Sequence, residues 1–575
     1  MIKRFYFSVF ISLISCYLLA IPARPIAQYV TQPDGSTKAV YLHGNELFHW
    51  FTDEAGNTLE EQPDGSFIIG EQLTDEVISM RFAEAQERLQ KRRISQAVAV
   101  ETPLNIAPRG LIILVNFSDL AFRTASSEIE NMINGDNYTR SYSYSYYGYR
   151  YNIESSGSAR QYFIDQSMGQ YQPQFDVVGP YTVSNKMSYY GANNYYGSDS
   201  RPNEMVAEAC RLASADGIDF SQYDNNGDGA VDFVYVIYAG FGEADGGGSS
   251  TIWPHSSDIR YYQDVRVNGK QVGKYACGSE MSNISKYYDG IGTFCHEFSH
   301  VLGLPDLYAT NNATHKTLGS WDILDAGPYN NDGNTPPAYS AYERFFMGWL
   351  TPKVLNSPMH ISLEELQKSN KAYIITSTGE SNLIGNDPYP TEFFILENRQ
   401  QKAWDEYLPG HGLLITKVQY SASRWAQNSV NNTASNMGVD IIEADGSAPR
   451  FSAAKATDAF PAGADEYTPY DDYPITNIEE KVRVVSFDFM GGEPLYQVVI
   501  DKAMKDAAAK KQSVEYTVIE AVYDFKGNLI ANIGEDVQLQ DIDLPAGMYI
   551  FRVSNGSSGQ DRKEAGVKLR IMTAK

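Results

Sequence analysis

The chain has 575 residues, 43% of them hydrophobic and 13% aromatic, and a formal net charge of −25. That length holds several domains with real cores, and the acidic surplus makes nucleic acid and anionic membrane poor partners. Four cysteines over this length exclude a disulfide scaffold. The 41 tyrosines suit half-buried strands and wet surfaces, as in an extracytoplasmic β-rich protein.

Residues 1–23 read as a secretory signal: Lys3 and Arg4, an apolar run from Phe5 to Ile21, then Ala-Ile-Pro-Ala at 20–23 for cleavage. Leu13-Ile14-Ser15-Cys16 also fits a lipoprotein-type cleavage box, ranked second because the apolar run continues past Cys16. No later segment is long and apolar enough to span a bilayer. Beyond the leader remain Cys210, Cys277 and Cys295, which cannot all pair within one chain; a Cys277–Cys295 bridge and buried free thiols are both open.

Residues 24–100 form a small unit. Residues 41–52 alternate like strands, Pro63-Asp64-Gly65 is a turn, and 79–97 reads as a charged helix ending near Lys91-Arg92-Arg93. His43 and His49 are expected in packing or at the surface. Gly110 to Phe117 is a short apolar run suited to a central strand. Residues 134–160, rich in Tyr, Ser and Gly, are expected as an irregular surface segment. Helices are expected near 158–171 and over 203–215, with a strand from Phe175 between them.

Asp224, Asn226, Asp228 and Asp232 occupy positions one, three, five and nine of a Ca²⁺ loop, with Gly229 at the sharp turn. Position twelve is Tyr235 instead of an acidic residue, so this is not a complete EF-hand loop. The competing reading is a plain Asn/Asp/Gly turn. Phe233 to Ala239 then reads as a buried strand feeding a Gly-rich loop at 240–248.

The most informative stretch is Gly292 to Asp306, which contains His-Glu-x-x-His. On a helix His296 and His300 lie one turn apart and leave the same face, so both can ligate one Zn²⁺. Glu297 can take a proton from a water at the metal. Ile291, Phe294, Cys295, Phe298, Val301 and Leu302 supply an apolar face. Gly303 and Pro305 end the helix, and the turn can bring Asp306 back as third ligand. Glu343, on a later helix, is the alternative third ligand, as in gluzincin-type peptidases.

The string His-Glu-x-x-His-x-x-Gly-x-x-Asp resembles the M6 (immune inhibitor A-like) metallopeptidases, a metzincin-like group. The resemblance covers roughly residues 25–490. It implies a latent secreted zinc endopeptidase acting on proteins or peptides. The fold class implied is α+β and multidomain: signal 1–23, propeptide 24–100, metzincin-like catalytic domain 101–369, β-rich domain 370–492 and a C-terminal β-sandwich 493–575. It supports Ca²⁺ at the 224–232 loop and a cut near Lys91-Arg92-Arg93. No cysteine is left in 24–100 to cap a zinc, but an Asp such as Asp34 or Asp64 can. Gly319 to Tyr329 resembles the turn under the metal in metzincins, with Leu324 where those have Met; Tyr329 is placed to donate to an oxyanion. The segment Leu544 to Val553 resembles the C-terminal sorting sandwich of some secreted bacterial proteins. The competing class is a surface adhesion or glycan-binding protein with a vestigial peptidase centre. The intact His296, Glu297 and His300 argue against it.

Overall fold

The computed structural model describes residues 20–94, 107–194, 197–311, 313, 315–447 and 454–492, and beyond these four strands between 517 and 573. The leader up to residue 19 and residues 95–106 of the cut region expected between 91 and 109 lie outside the described residues, whereas Lys91-Arg92-Arg93 falls in the last turn of the helix Asp75–Ile94.

The N-terminal unit is an antiparallel five-stranded meander: β1 (Gln28–Thr31), β2 (Thr37–Asn45), β3 (Phe48–Thr52), β4 (Thr58–Glu61) and β5 (Phe67–Ile69). Helix α1 (Asp75–Ile94) packs Ile78, Phe82 and Ala85 on Leu47 and Phe48. The sheet does not close its own core. Val40, Leu42, Phe51, Leu59 and Phe67 share one cluster with Ala244 and Trp253 of the next unit.

That unit is built on β6 (Arg109–Asn116), α2 (Ser126–Asn134), the hairpin β7 (Ser141–Tyr146) and β8 (Tyr149–Glu154), α3 (Ala159–Gln166), β9 (Gln174–Thr182), α4 (Met187–Gly191) and α5 (Pro202–Ala215). Then follow β10 (Ala230–Val231), β11 (Val234–Phe241), β12 (His255–Asp258), β13 (Arg266–Val267), β14 (Lys270–Val272), β15 (Lys274–Met281), α6 (Gly292–Val301) and α7 (Ala341–Phe346). The central sheet runs β12-β15-β11-β6-β9, parallel except for the edge strand β12. Its inner strands are apolar at nearly every position because both faces are covered. Leu111, Ile113 and Val115 face α5, whereas Ile112 and Leu114 face α6.

The Tyr-rich segment expected to be irregular is instead the β7–β8 hairpin. Its Ser/Tyr alternation has the period of a strand. Tyr147 and Gly148, at φ of 50° and 80°, form the turn that matches strand twist.

The core on the α6 face runs without a break into the C-terminal sheet, through Phe393, Ile395, Leu414, Val418 and Trp425. Strands 392–399 and 412–419 pair antiparallel at its centre, and a second three-stranded sheet ends at Phe489. The four distal strands, at 517–524, 529–532, 547–555 and 569–573, make one antiparallel sheet. The expected sorting sandwich otherwise lies outside the described residues. Cys210, Cys277 and Cys295 are buried free thiols. Among the described residues no helix is long and apolar enough to cross a membrane.

Candidate active site

Helix α6 lies in the core with every residue buried. Phe294 and Phe298 pack edge-on to Phe175, which seats the helix against β9. The helix ends in a Schellman turn. The Leu304 amide donates to Ser299 O at 3.2 Å and the Gly303 amide to His300 O at 3.0 Å, with Gly303 at a φ of 101° that only glycine takes cheaply. This turn orients the site. It aims Leu304 O at His300, whose Nδ1 donates to it at 2.8 Å. The Nδ1 of His296 donates in the same way to Ile323 O at 2.7 Å. A carbonyl only accepts, so both rings carry their proton on Nδ1 and present bare Nε2 atoms.

The two Nε2 atoms are 3.1 Å apart, and Asp306 Oδ1 lies 3.2 and 3.3 Å from them. A tetrahedral zinc with bonds near 2.05 Å has ligand edges of about 3.3 Å, so this triangle is zinc-sized. Asp306 Oδ1 is buried with no hydrogen-bond donor, as a lone pair waiting for a cation would be. Asp306 Oδ2 instead accepts from Asn428 Nδ2 at 2.7 Å, and the Asp306 amide donates to Asn428 Oδ1 at 2.8 Å. Among the described residues, His296, His300 and Asp306 are the one group of three or more His, Cys, Asp or Glu able to hold a metal.

Glu343 is not part of it. Its carboxylate accepts from the Ser340 amide at 2.6 Å and closes a capping box at the start of α7. The turn at 319–329 does underlie the site: Ile323 O fixes His296, and buried Leu324 accepts from the Leu307 amide at 2.8 Å.

In the 224–232 loop the acidic side chains engage protein donors. Lys270 Nζ sits 2.6 Å from Asp224 Oδ2 and supplies the positive charge there. Asp232 accepts from the Asn225 amide at 2.6 Å and from Asn226 Nδ2 at 3.0 Å, while Asn226 Oδ1 and Asp228 accept from backbone amides inside the loop. These donors engage most of the oxygens that the spacing offered to Ca²⁺, while buried Asp224 Oδ1 has no hydrogen-bond partner.

Glu297 is fully buried. Burial, with Asp306 and Glu46 nearby, pushes its carboxyl well up against one amide donor. That donor is the backbone N–H of Ile21, 3.0 Å from Oε1; Oε2 has no partner. A segment from the start of the described chain thus crosses the site as an extended peptide. Tyr308 Oη donates to Ala20 O at 2.5 Å, Trp253 Nε1 to Ile21 O at 2.9 Å, and Tyr329 Oη to Pro22 O at 2.6 Å. Tyr329 therefore contacts a peptide carbonyl next to Glu297, and burial pushes its hydroxyl pKa well up, so it is a donor. Sequence reasoning missed Trp253, Tyr308 and Asn428. Tyr308 lies two residues past Asp306, but the other two come from distant segments and left no local signal.

The arrangement sets a triangle of possible metal ligands beside a buried carboxylate and a peptide segment. Residues 99–350 match the family "Immune inhibitor A peptidase M6, catalytic domain". The chain is 28% identical over 308 residues to "Immune inhibitor A" of Bacillus thuringiensis subsp. alesti, covering 48% of this chain and 45% of that protein. It is 27% identical over 258 residues to "Pre-pro-metalloprotease PrtV" of Vibrio cholerae serotype O1 (strain M66-2), covering 40% of this chain and 28% of that protein. The chain thus spans less than half of the relatives it matches.

Proposed function

We propose that the chain is a secreted, metzincin-like zinc endopeptidase made as a latent precursor, with protein or peptide substrates. The observation that carries this reading is the meeting of three groups: a zinc-sized triangle of bare ligand atoms, the general-base candidate Glu297, and a peptide lying across both. His296, His300 and Asp306 would hold the zinc, which when bound polarises a carbonyl and brings a water's pKa toward neutral.

The chain's own residues do the rest. Glu297 Oε1 holds a peptide N–H, and Oε2 is free to take a proton from water and return it to the leaving nitrogen. Tyr329 and Tyr308 donate to backbone carbonyls on either side of Ile21, fixing the register of a bound chain. Trp253 donates to the carbonyl between them and covers the site.

Latency follows from the same contacts. Ala20 to Arg24 fill the place a substrate would take, and the meander β1–β5 holds them there through the shared core with Trp253. The Vibrio relative is named as a pre-pro-metalloprotease, which agrees with a precursor form. A leader cut after Ala23 would remove most of the plug, whereas a cut at the Cys16 box would keep it. The full chain and the chain nicked between residues 91 and 109 should be compared for casein hydrolysis with and without chelator. Activity that appears on nicking and vanishes with chelator is expected. Equal activity before nicking would end the latency reading, and hydrolysis that survives chelation would end the zinc reading.

A further inference from the structure

The segment that crosses Glu297 ends in a charged anchor that peptide-bond chemistry does not use. Arg24 is buried. Its Nη1 donates to Asp245 Oδ1 at 2.7 Å, and its Nη2 to Asp332 Oδ1 at 2.8 Å. Nη1 also reaches Ser282 Oγ at 3.4 Å, and the guanidinium stands 5.4 Å from the Tyr329 ring centre. The pocket is built and rigid. Tyr142 of the β7–β8 hairpin donates to the second oxygen of Asp332 at 2.8 Å, and the Asn283 amide holds the second oxygen of Asp245. Asp289 lies behind them; burial with Asp245 and Asp332 pushes its carboxyl up to about 7.

Two features make this more than a structural ion pair. The first is register. Arg24 lies three residues beyond Ile21, and the backbone between is held as a bound peptide is held. Arg24 N–H donates to Ala244 O of the next unit at 2.9 Å, as a bound residue would, while Ala23 N–H donates to Gly44 O of β2, within the N-terminal unit itself, at 3.0 Å. The second is charge. Asp332 comes from the turn that also carries Tyr329, and Asp245 from the Gly-rich loop after β11. Once the N-terminal unit leaves, the two neighbouring carboxylates lose the cation that pairs them, a state that favours a replacement. A fork whose two nitrogens meet two separate carboxylates suits arginine better than the single point charge of lysine.

We propose that Asp245 and Asp332 form an arginine-accepting subsite of the cleft, filled by Arg24 in the uncut chain and by an arginine side chain of the substrate afterwards. This rests on the peptidase reading above.

The test uses the full chain carrying Arg24→Ala, with Arg24→Gln as the second variant should the first not fold. Nα-acetylarginine amide is titrated into the protein and the melting temperature followed. The arginine amide should raise it, the citrulline amide should not, and adding Asp332→Asn should abolish the effect. In the same protein, loaded with zinc and nicked between residues 91 and 109 to release the block, peptides differing only by arginine or citrulline at one position are compared. The kcat/KM ratio should be on the order of 10–100 at one position, the range for a charged group left unpaired, and should fall toward one with Asp332→Asn. Peptide hydrolysis with no arginine preference and no response to arginine amide overturns the subsite while the peptidase reading stands. A response to arginine amide with no hydrolysis of any peptide overturns the peptidase reading, and the substrate role of the pocket with it.

Discussion

Replacing Glu297 by Gln separates the chemistry from the architecture. The side chain is fully buried, Oε1 accepts the Ile21 amide at 3.0 Å, and Oε2 has no donor. Glutamine keeps the volume and the Oε1 acceptor, so the crossing segment can still dock. It removes the carboxylate oxygen, Oε2, that is left to take a proton next to the zinc-sized triangle. Positioned acid–base catalysis contributes about 10²–10⁴-fold, and the rate should fall by that much. Zinc should be retained, because the triangle of His296, His300 and Asp306 does not include Glu297. The metal-free fold should be no weaker, since the change removes one of three neighbouring buried carboxylates, Glu297, Asp306 and Glu46. Zinc content, melting temperature and peptidase rate are measured on one nicked preparation. A Glu297→Gln protein that holds zinc and cleaves near the parent rate would refute the mechanism. One that loses zinc would show that Glu297 belongs to the ligand set.

Asn428→Ala should weaken zinc binding by about 10–100-fold, the usual cost of losing a partner that orients a ligand, because its amide holds both the side chain and the amide of Asp306; competition with a metallochromic chelator reads this. Glu343→Ala should lower the melting temperature through the lost capping box while leaving zinc affinity intact. Added Ca²⁺ or EGTA should leave the melting temperature of the zinc-loaded chain unchanged, since Lys270 already neutralises Asp224; a rise with Ca²⁺ would restore the loop as a cation site. Docking of the N-terminal unit should depend on pH through His49, which lies 2.9 Å from Glu243 and stacks on Trp253. Burial pushes its imidazole down, but Glu243, a backbone carbonyl and Glu61 outweigh this and raise it above 6.5, and Asp199, close to Glu243, has its carboxyl pushed well up. A raised imidazole pKa stabilises the docked state fully below 6.5 and loses that contribution as the pH climbs through the docked value, so release after nicking should speed up as the pH rises above 6.5. His49→Gln should flatten the profile.

The sequence by itself determined what is local. His296 and His300 share a face because a helix repeats every 3.6 residues. Gly303 and Pro305 end that helix because of backbone sterics, and the resulting turn presents Leu304 O to His300. The apolar runs at 110–117 and 233–239 are the central strands β6 and β11, since a strand buried on both faces has no polar alternation to hide it. The spacing at 224–232 reports only which oxygens are near one another in sequence, and the pairing of Lys270, from another strand, with Asp224 is not legible there. Tertiary structure alone decided the rest. It brought Asn428 to Asp306 across 122 residues, Asp332 to Arg24 across 308, and the Ile21 amide to Glu297 across 276. Each is a polar contact in a dry interior. Its worth depends on burial and on the partner's exact approach, and neither leaves a periodic trace along the chain.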